Sequence, residues 1–328
     1  MKYRLRLIFS ALALAGLALT ATAQTKLRAW NIHPDGYPVT EAMKSFGDEV
    51  GKVTGGRYQV EIFSNASLGD QPKAVQMLKA GEIDLAEFSL GPLSEAAPGT
   101  KALNLPFLFA DSRHMFSLLD GKLGDKLAGR LKAAGYIVLG WYDGGARSFY
   151  CTNKKLARVS DFKGLKIRVQ QSEVYVQMVK ELDAIPVALP FKEVMQALQD
   201  GKVDCAENNL PSFISTEHYK VAKYVYLTNH VISPEALVMS TKAWDKLDKN
   251  DQAAFLTAGR KSAEVMRALW NKRVDESREI AIKAGVQFTR VSDYSPLVRR
   301  MSGLHSKYMA DPQTRDELLT ILATGAAQ

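Results

Sequence analysis

The sequence predicts an α/β fold of two similar lobes braced by one long helix. Three observations carry this. Strand-like and helix-like segments alternate through the first two-thirds of the chain. A fourteen-residue pattern recurs at an offset of 120, as AVQMLKAGEIDLAE at 74–87 and VMQALQDGKVDCAE at 194–207. A proline-free stretch then runs from Asn250 to Ala284.

The elements follow in order. Lys26 to Ile32 reads as a strand, and Val39 to Val53 as a helix with Met43, Phe46 and Val50 on one face. After the Thr54-Gly55-Gly56 turn, Tyr58 to Phe63 alternates apolar residues as a strand does. Pro72 to Ala80 is a helix closed by Gly81, and Ile83 to Phe88 a strand. Two helices fall within 112–133, followed by strand Tyr136 to Trp141. A Gly144-Gly145 break separates it from strand Arg147 to Cys151. Lys166 to Val169 and Ile185 to Ala188 are strands flanking helix Glu173 to Leu182. Helix Phe191 to Asp200, closed by Gly201, leads into strand Val203 to Glu207, and two more strands lie between Tyr224 and Ser240. The last third is helical. If Asn250 to Ala284 is continuous it extends roughly 50 Å, enough to brace two lobes; Gly259 is where it would divide into two helices.

Six of the fourteen repeat positions are identical: Gln76/Gln196, Leu78/Leu198, Gly81/Gly201, Asp84/Asp204, Ala86/Ala206 and Glu87/Glu207. Each copy reads as a helix, a glycine C-cap and a short strand inside a βαβ unit. In open α/β sheets, ligands bind beyond the carboxyl ends of the strands. That rule points Glu87, Phe88, Glu207, Asn208 and Asn209 at a shared cleft.

Residues 1–23 have the form of a secretory signal peptide. Lys2, Arg4 and Arg6 precede the apolar Leu7 to Leu19, and Ala21-Thr22-Ala23 is a small-x-small cleavage site. The apolar run falls short of the roughly 20 residues a membrane span needs. Cleavage after Ala23 leaves 305 residues, two domains' worth at roughly 150 each. The formal charge of +8 becomes +5 without the three leader cations, spread without a basic block. That balance, in an exported chain lacking an aromatic-basic motif, excludes nucleic acid as a partner.

Cys151 and Cys205 are the two cysteines, both on expected strands. In an oxidising compartment they form either a disulfide or two buried thiols. A bridge would close a loop of about 55 residues, worth about 4 kcal/mol in the chain-entropy account.

Catalytic signatures are missing. The chain has no G-x-S-x-G, H-E-x-x-H, C-x-x-C, P-loop or dinucleotide fingerprint. Ser160-Asp161-Phe162-Lys163 matches S-x-x-K only in a polar turn, and none of the five histidines is paired at metal-ligand spacing. Neither an enzyme, a metal nor a cofactor is expected. Two arginines stand out instead. Arg147 opens a strand after a glycine turn, and Arg168 lies between aliphatics in Lys166-Ile167-Arg168-Val169. A guanidinium there needs a partner, either a local carboxylate or a bound one held by its planar fork.

The stretches GGARSFY (144–150), DFKGLKIRV (161–169), PFKEVMQALQDGKVDCAENN (190–209) and PSFISTEHYKVAKY (211–224), with LGD (68–70) and LPFLF (105–109), resemble one family. It is the solute receptors of tripartite ATP-independent periplasmic (TRAP) transporters, C4-dicarboxylate-binding type. The resemblance implies a two-lobed periplasmic binding protein, type II-like, with hinge strands and a long helix spanning both lobes. It implies lobe I at 24–145 plus 234–273, and lobe II at 146–233 plus 274–328. It implies a monomer that closes on a small organic acid and delivers it to an integral-membrane permease.

By the same resemblance Arg168 grips the ligand carboxylate, Arg147 and Asn208 assist, and Phe191 packs against the ligand. Asp183 and Cys205 stand where the family usually has glycine. The segments Asn31 to Pro34, Gly36-Tyr37-Pro38 and AENN-x-PS with His218-Tyr219 resemble members that take sugar acids such as hexuronates. His33, Glu87 and Asp70 would then meet hydroxyl groups from the first lobe. A C4-dicarboxylate or keto acid is the alternative ligand, Arg147 then meeting the second carboxylate of a dicarboxylate. A ligand sensor or a sugar-acid enzyme is the alternative class.

Overall fold

The computed structural model describes residues 24–325, so the expected leader, 1–23, lies outside the described residues. The first lobe begins with β1 (Thr25–Trp30), α1 (Pro38–Val53), β2 (Tyr58–Phe63), α2 (Gln71–Ala80), β3 (Leu85–Ser89) and α3 (Leu90–Ala96). α4 (Ser112–Leu119) and α5 (Lys122–Ala133) lead into a long strand, β4 (Tyr136–Cys151). The second lobe follows as β5 (Lys166–Val169), α6 (Glu173–Glu181), β6 (Ile185–Ala188), α7 (Val194–Gln199), β7 (Cys205–Asn208) and α8 (Leu210–Ser215). A second long strand, β8 (Tyr224–Ser240), returns to the first lobe and is followed by α9 (Thr241–Trp244) and α10 (Lys249–Lys283). The tail is β9 (Gln287–Arg290), α11 (Ser295–Arg300), α12 (Ser302–Ala310) and α13 (Pro312–Gly325).

One nine-stranded sheet runs through both lobes in the order β2-β1-β3-β8-β4-β7-β5-β6, with β9 beside β8. β1 pairs in parallel with β2 and β3, and β5 pairs in parallel with β6 and β7. β4 and β8 cross between the lobes as an antiparallel pair. The sequence divides each of them into two strands; the structure makes each continuous, 16 and 17 residues long. The Gly144-Gly145 break is a register slip inside β4, opposite Pro234 to Ile232. The expected lobe boundaries at 145/146 and 233/234 fall within this irregular stretch.

The repeat is a structural repeat. Gly81 and Gly201 both follow their helices with positive φ, 76° and 67°. The Asp84 carboxylate accepts from Arg28 N at 2.8 Å, and the Asp204 carboxylate accepts from Lys166 N at 2.8 Å. In each lobe the same aspartate therefore pins the same strand pair before the strand that ends in Ala-Glu.

α10 is a single helix of 35 residues, roughly 52 Å. Phe255, Met266 and Trp270 enter the core beneath α1, while Ala281 enters the second lobe's core with Tyr150, Val194 and Phe213. Gly259 does not break it. A Cβ there would lie 2.2 Å from Leu139 O, so the glycine is what lets the helix lie against β4.

The tail departs from the expected division. α13, placed by sequence with the second lobe, packs on the first. Arg130 donates to Glu317 Oε1 at 2.7 Å, and His114 Nε2 lies 3.0 Å from Thr324 Oγ1. Cys151 and Cys205 face each other across β4 and β7 and are bonded, S–S 2.03 Å.

Candidate functional site

β3, β5 and β7 all end at the crevice between the lobes, and the strand-end residues meet there. A cavity there is lined by His33, Ser89, Arg147, Arg168, Gln170, Phe191, Asn208 and Glu235 among others. The lobes are closed around it. The Ser89 hydroxyl donates to Gln170 Oε1 at 3.1 Å, and Tyr37 OH lies 2.9 Å from Ser212 Oγ.

The two arginines differ in what they have already bound. Arg147 on β4 donates through Nε and Nη2 to both carboxylate oxygens of Glu207, at 2.6 and 2.8 Å. It also donates to Glu207 O at 3.0 Å and to Asn208 Oδ1 at 2.9 Å. Four of its five N–H groups are thus committed. Burial works to raise the Glu207 carboxyl; Arg147 and His230 override it and hold the group below its ordinary value.

Arg168 on β5 is 3% exposed, and among the described residues its side chain hydrogen-bonds only to Leu189 O, through Nε at 3.1 Å and Nη2 at 2.7 Å. Among the described residues no carboxylate forms an ion pair with it. Burial, with Arg147 adding, pulls its pKa down to about 10, so it stays protonated at neutral pH. A desolvated cation with open N–H groups on a cavity wall is a site for an anion. Among the described residues the Asn208 Nδ2 amide has no hydrogen-bond partner, and Asn208 lines the same cavity. Phe191 stands beside them, with the Arg168 guanidinium 6.0 Å from its ring centre.

The other end of the cavity is acidic and uncharged by turns. His33 stacks on Tyr37 at 3.8 Å, and its Nδ1 is buried without a partner. Burial and then Arg147 lower its pKa to about 3, which leaves it neutral. Glu235 on β8 lines the cavity, with Glu87 of β3 behind it. A ring nitrogen of His33 and a carboxylate oxygen each of Glu87 and Glu235 lie within 4.8 Å of one another. Burial raises the Glu235 carboxyl to about 8, and burial with the Glu235 charge raises Glu87 well above the carboxylate range. The pair therefore holds at least one proton at neutral pH.

Of the residues expected from sequence, Arg168, Arg147, Asn208, Phe191 and His33 are brought to one cavity. Glu87 and Asp70 do not reach its wall. Asp70 instead N-caps α2, its Oδ1 accepting from Lys73 N at 3.2 Å, with Gln171 Nε2 3.5 Å from its other oxygen. Its place before a proline-led helix dictates that role. Sequence reasoning missed Glu235, Gln170 and Ser89. Glu235 interrupts an apolar strand, the same signal that singled out Arg168. Ser89 ends β3, and Gln170 is the residue just after β5.

The family profile of bacterial extracellular solute-binding protein family 7 (DctP) matches residues 31–310. A solute-binding protein of Chromohalobacter salexigens is 37% identical over 308 residues, 94% of this chain and 92% of the relative. A TRAP periplasmic solute binding protein from Roseobacter denitrificans, solved with bound β-D-glucuronate, is 38% identical with a TM-score of 0.89. The match covers 90% of this chain and 99% of that one. One from Bradyrhizobium, in complex with α/β-D-galacturonate, is 40% identical with a TM-score of 0.88, covering 90% and 99%.

Proposed function

The chain belongs to family 7 of the bacterial extracellular solute-binding proteins, and on that premise we propose that it is the periplasmic receptor of a TRAP transporter for a hexuronate. Arg168 is the observation that carries this. It is a buried cation on the cavity wall with N–H groups left over and no carboxylate of its own. A ligand carboxylate completes its coordination, with Asn208 Nδ2 and the remaining Arg147 N–H beside it. The sugar hydroxyls meet Gln170, Ser89, His33 and Glu235, all within the same cavity. Glucuronate and galacturonate in the similar solved structures support this ligand class.

Capture proceeds by closure. An acid that touches Arg168 and Asn208 of the second lobe and His33 and Ser89 of the first favours the closed state by contacts the open state lacks. The ligand leaves unchanged, handed to membrane permease subunits. The leader at 1–23 delivers the chain to the periplasm; among the described residues no helix is long and apolar enough to cross a membrane.

A thermal-shift screen of residues 24–328 against uronates, aldonates, C4-dicarboxylates and keto acids tests the proposal. Glucuronate or galacturonate at 100 times its dissociation constant stabilises the fold by about 2.7 kcal/mol, a clear shift. A shift with succinate or malate and none with uronates would discard the sugar-acid reading. Turnover of a bound acid would replace the receptor by an enzyme.

A further inference from the structure

The two ends of the cavity differ in chemistry: one holds a cation, the other a pair of buried carboxyls. At one end Arg168 is without a carboxylate. At the other Glu235 is backed by Glu87; the two buried carboxyls bond to each other, and among the described residues no other donor reaches either oxygen of Glu87 or Oε2 of Glu235. The ends are well separated in the sheet. Glu235 pairs with Tyr142 of β4. Arg168 pairs with Ala206 of β7, which pairs with Tyr150 of β4. Two strands and eight positions along β4 lie between them. Arg147, which lies between, has four of its five N–H groups taken up by Glu207 and Asn208, and its one remaining N–H lies beside Arg168.

We propose that the Glu235–Glu87 pair is the selectivity element that admits a monocarboxylate bearing hydroxyls and rejects a dicarboxylate. This rests on the receptor assignment above and specifies its ligand class. A first carboxylate is neutralised by Arg168. A second, at the far end, finds no free cation and loses its hydration beside buried carboxyls that offer it no positive charge and repel it once either of them ionises. A hydroxyl at that end has none of this cost, because it can donate to a carboxylate oxygen or accept from a carboxyl proton. The backbone is shaped for the pair: a Cβ at Gly144 would lie 2.8 Å from Glu235 Oε1, so glycine there makes room for the acid.

Titration calorimetry with D-glucuronate and D-glucarate, a monocarboxylate and a dicarboxylate of related stereochemistry, tests the idea on the wild type, Glu235→Gln and Glu87→Gln. The ring-to-chain difference between the probes is common to all three proteins, so the change in affinity ratio isolates the acid pair. The wild type should prefer glucuronate by roughly 100-fold or more. At least one amide variant should narrow that ratio by roughly tenfold while keeping a cooperative melt. Equal wild-type affinity for the two acids would overturn the proposal. So would an unchanged ratio in both variants, which would locate the discrimination elsewhere. Failure of the wild type to bind either acid would bring down the receptor assignment, and this inference with it.

Discussion

Glu87 and Glu207 occupy equivalent places in the two copies of the repeat, yet their chemistry diverges. Glu207 meets Arg147 and is held ionised. Glu87 meets a second carboxyl and is not. The repeat was legible in sequence, but the partners were not, because they come from β4 and β8, far away along the chain. This is why Glu87 was expected on the cavity wall and Glu235 was overlooked. The divergence has a pH signature. With a folded pKa of about 8 against an ordinary 4.5, Glu235 binds its proton more tightly folded than unfolded. That stabilisation is complete below about pH 4.5 and is lost as pH rises through about 8. Glu87, raised for the same reason, acts in the same sense. The groups around the pair are His33, Tyr37, Tyr142, Asp143, Arg147 and Tyr175; neither the neutral histidine nor the committed arginine supplies an ion pair. The ligand-free wild type should therefore lose melting temperature relative to Glu235→Gln between pH 6 and pH 9. Parallel melting curves across that range would contradict the assignment.

Short elements were legible in sequence where local rules decide them. The capped helices and βαβ strands follow from periodicity and glycine placement, and both aspartate staples lie inside the repeat. The long strands were not, since a Gly-Gly pair ordinarily ends a strand. Here it makes a slip instead: Gly145, at φ 69°, sits beneath Trp270 of α10, where a Cβ would lie 2.6 Å from the indole. Gly259 shows the same tertiary override. In an isolated helix, Gly→Ala gains about 1 kcal/mol. In this fold the added methyl would meet Leu139 O, and overpacking of that kind costs about 1–3 kcal/mol. Gly259→Ala should therefore lower stability despite its better helix propensity, as a denaturant titration would show. A stabilised variant would mean that α10 does not lie on β4 as described.

At the scale of the molecule, two α/β lobes share one sheet through β4 and β8, and α10 joins their cores. The Gly144-Gly145 slip opposite Pro234 lies where β4 and β8 pass between the lobes, and Tyr37–Ser212 and Ser89–Gln170 bond across the cavity. The two-lobed plan was visible in the repeat; the docking of α13 onto the first lobe was not, because a short amphipathic tail carries no signal for which neighbour it covers. The Cys151–Cys205 bond ties β4 to β7 beside the strand end that carries Asn208. Everything converges on a single uncompensated guanidinium, and calorimetric titration of D-glucuronate into the wild type and Arg168→Ala tests it most directly. The account predicts one site in the wild type and a loss of at least about 2 kcal/mol, roughly 30-fold, in the variant. Equal affinity in the two proteins would show that the carboxylate is held elsewhere, and would contradict the account at its centre.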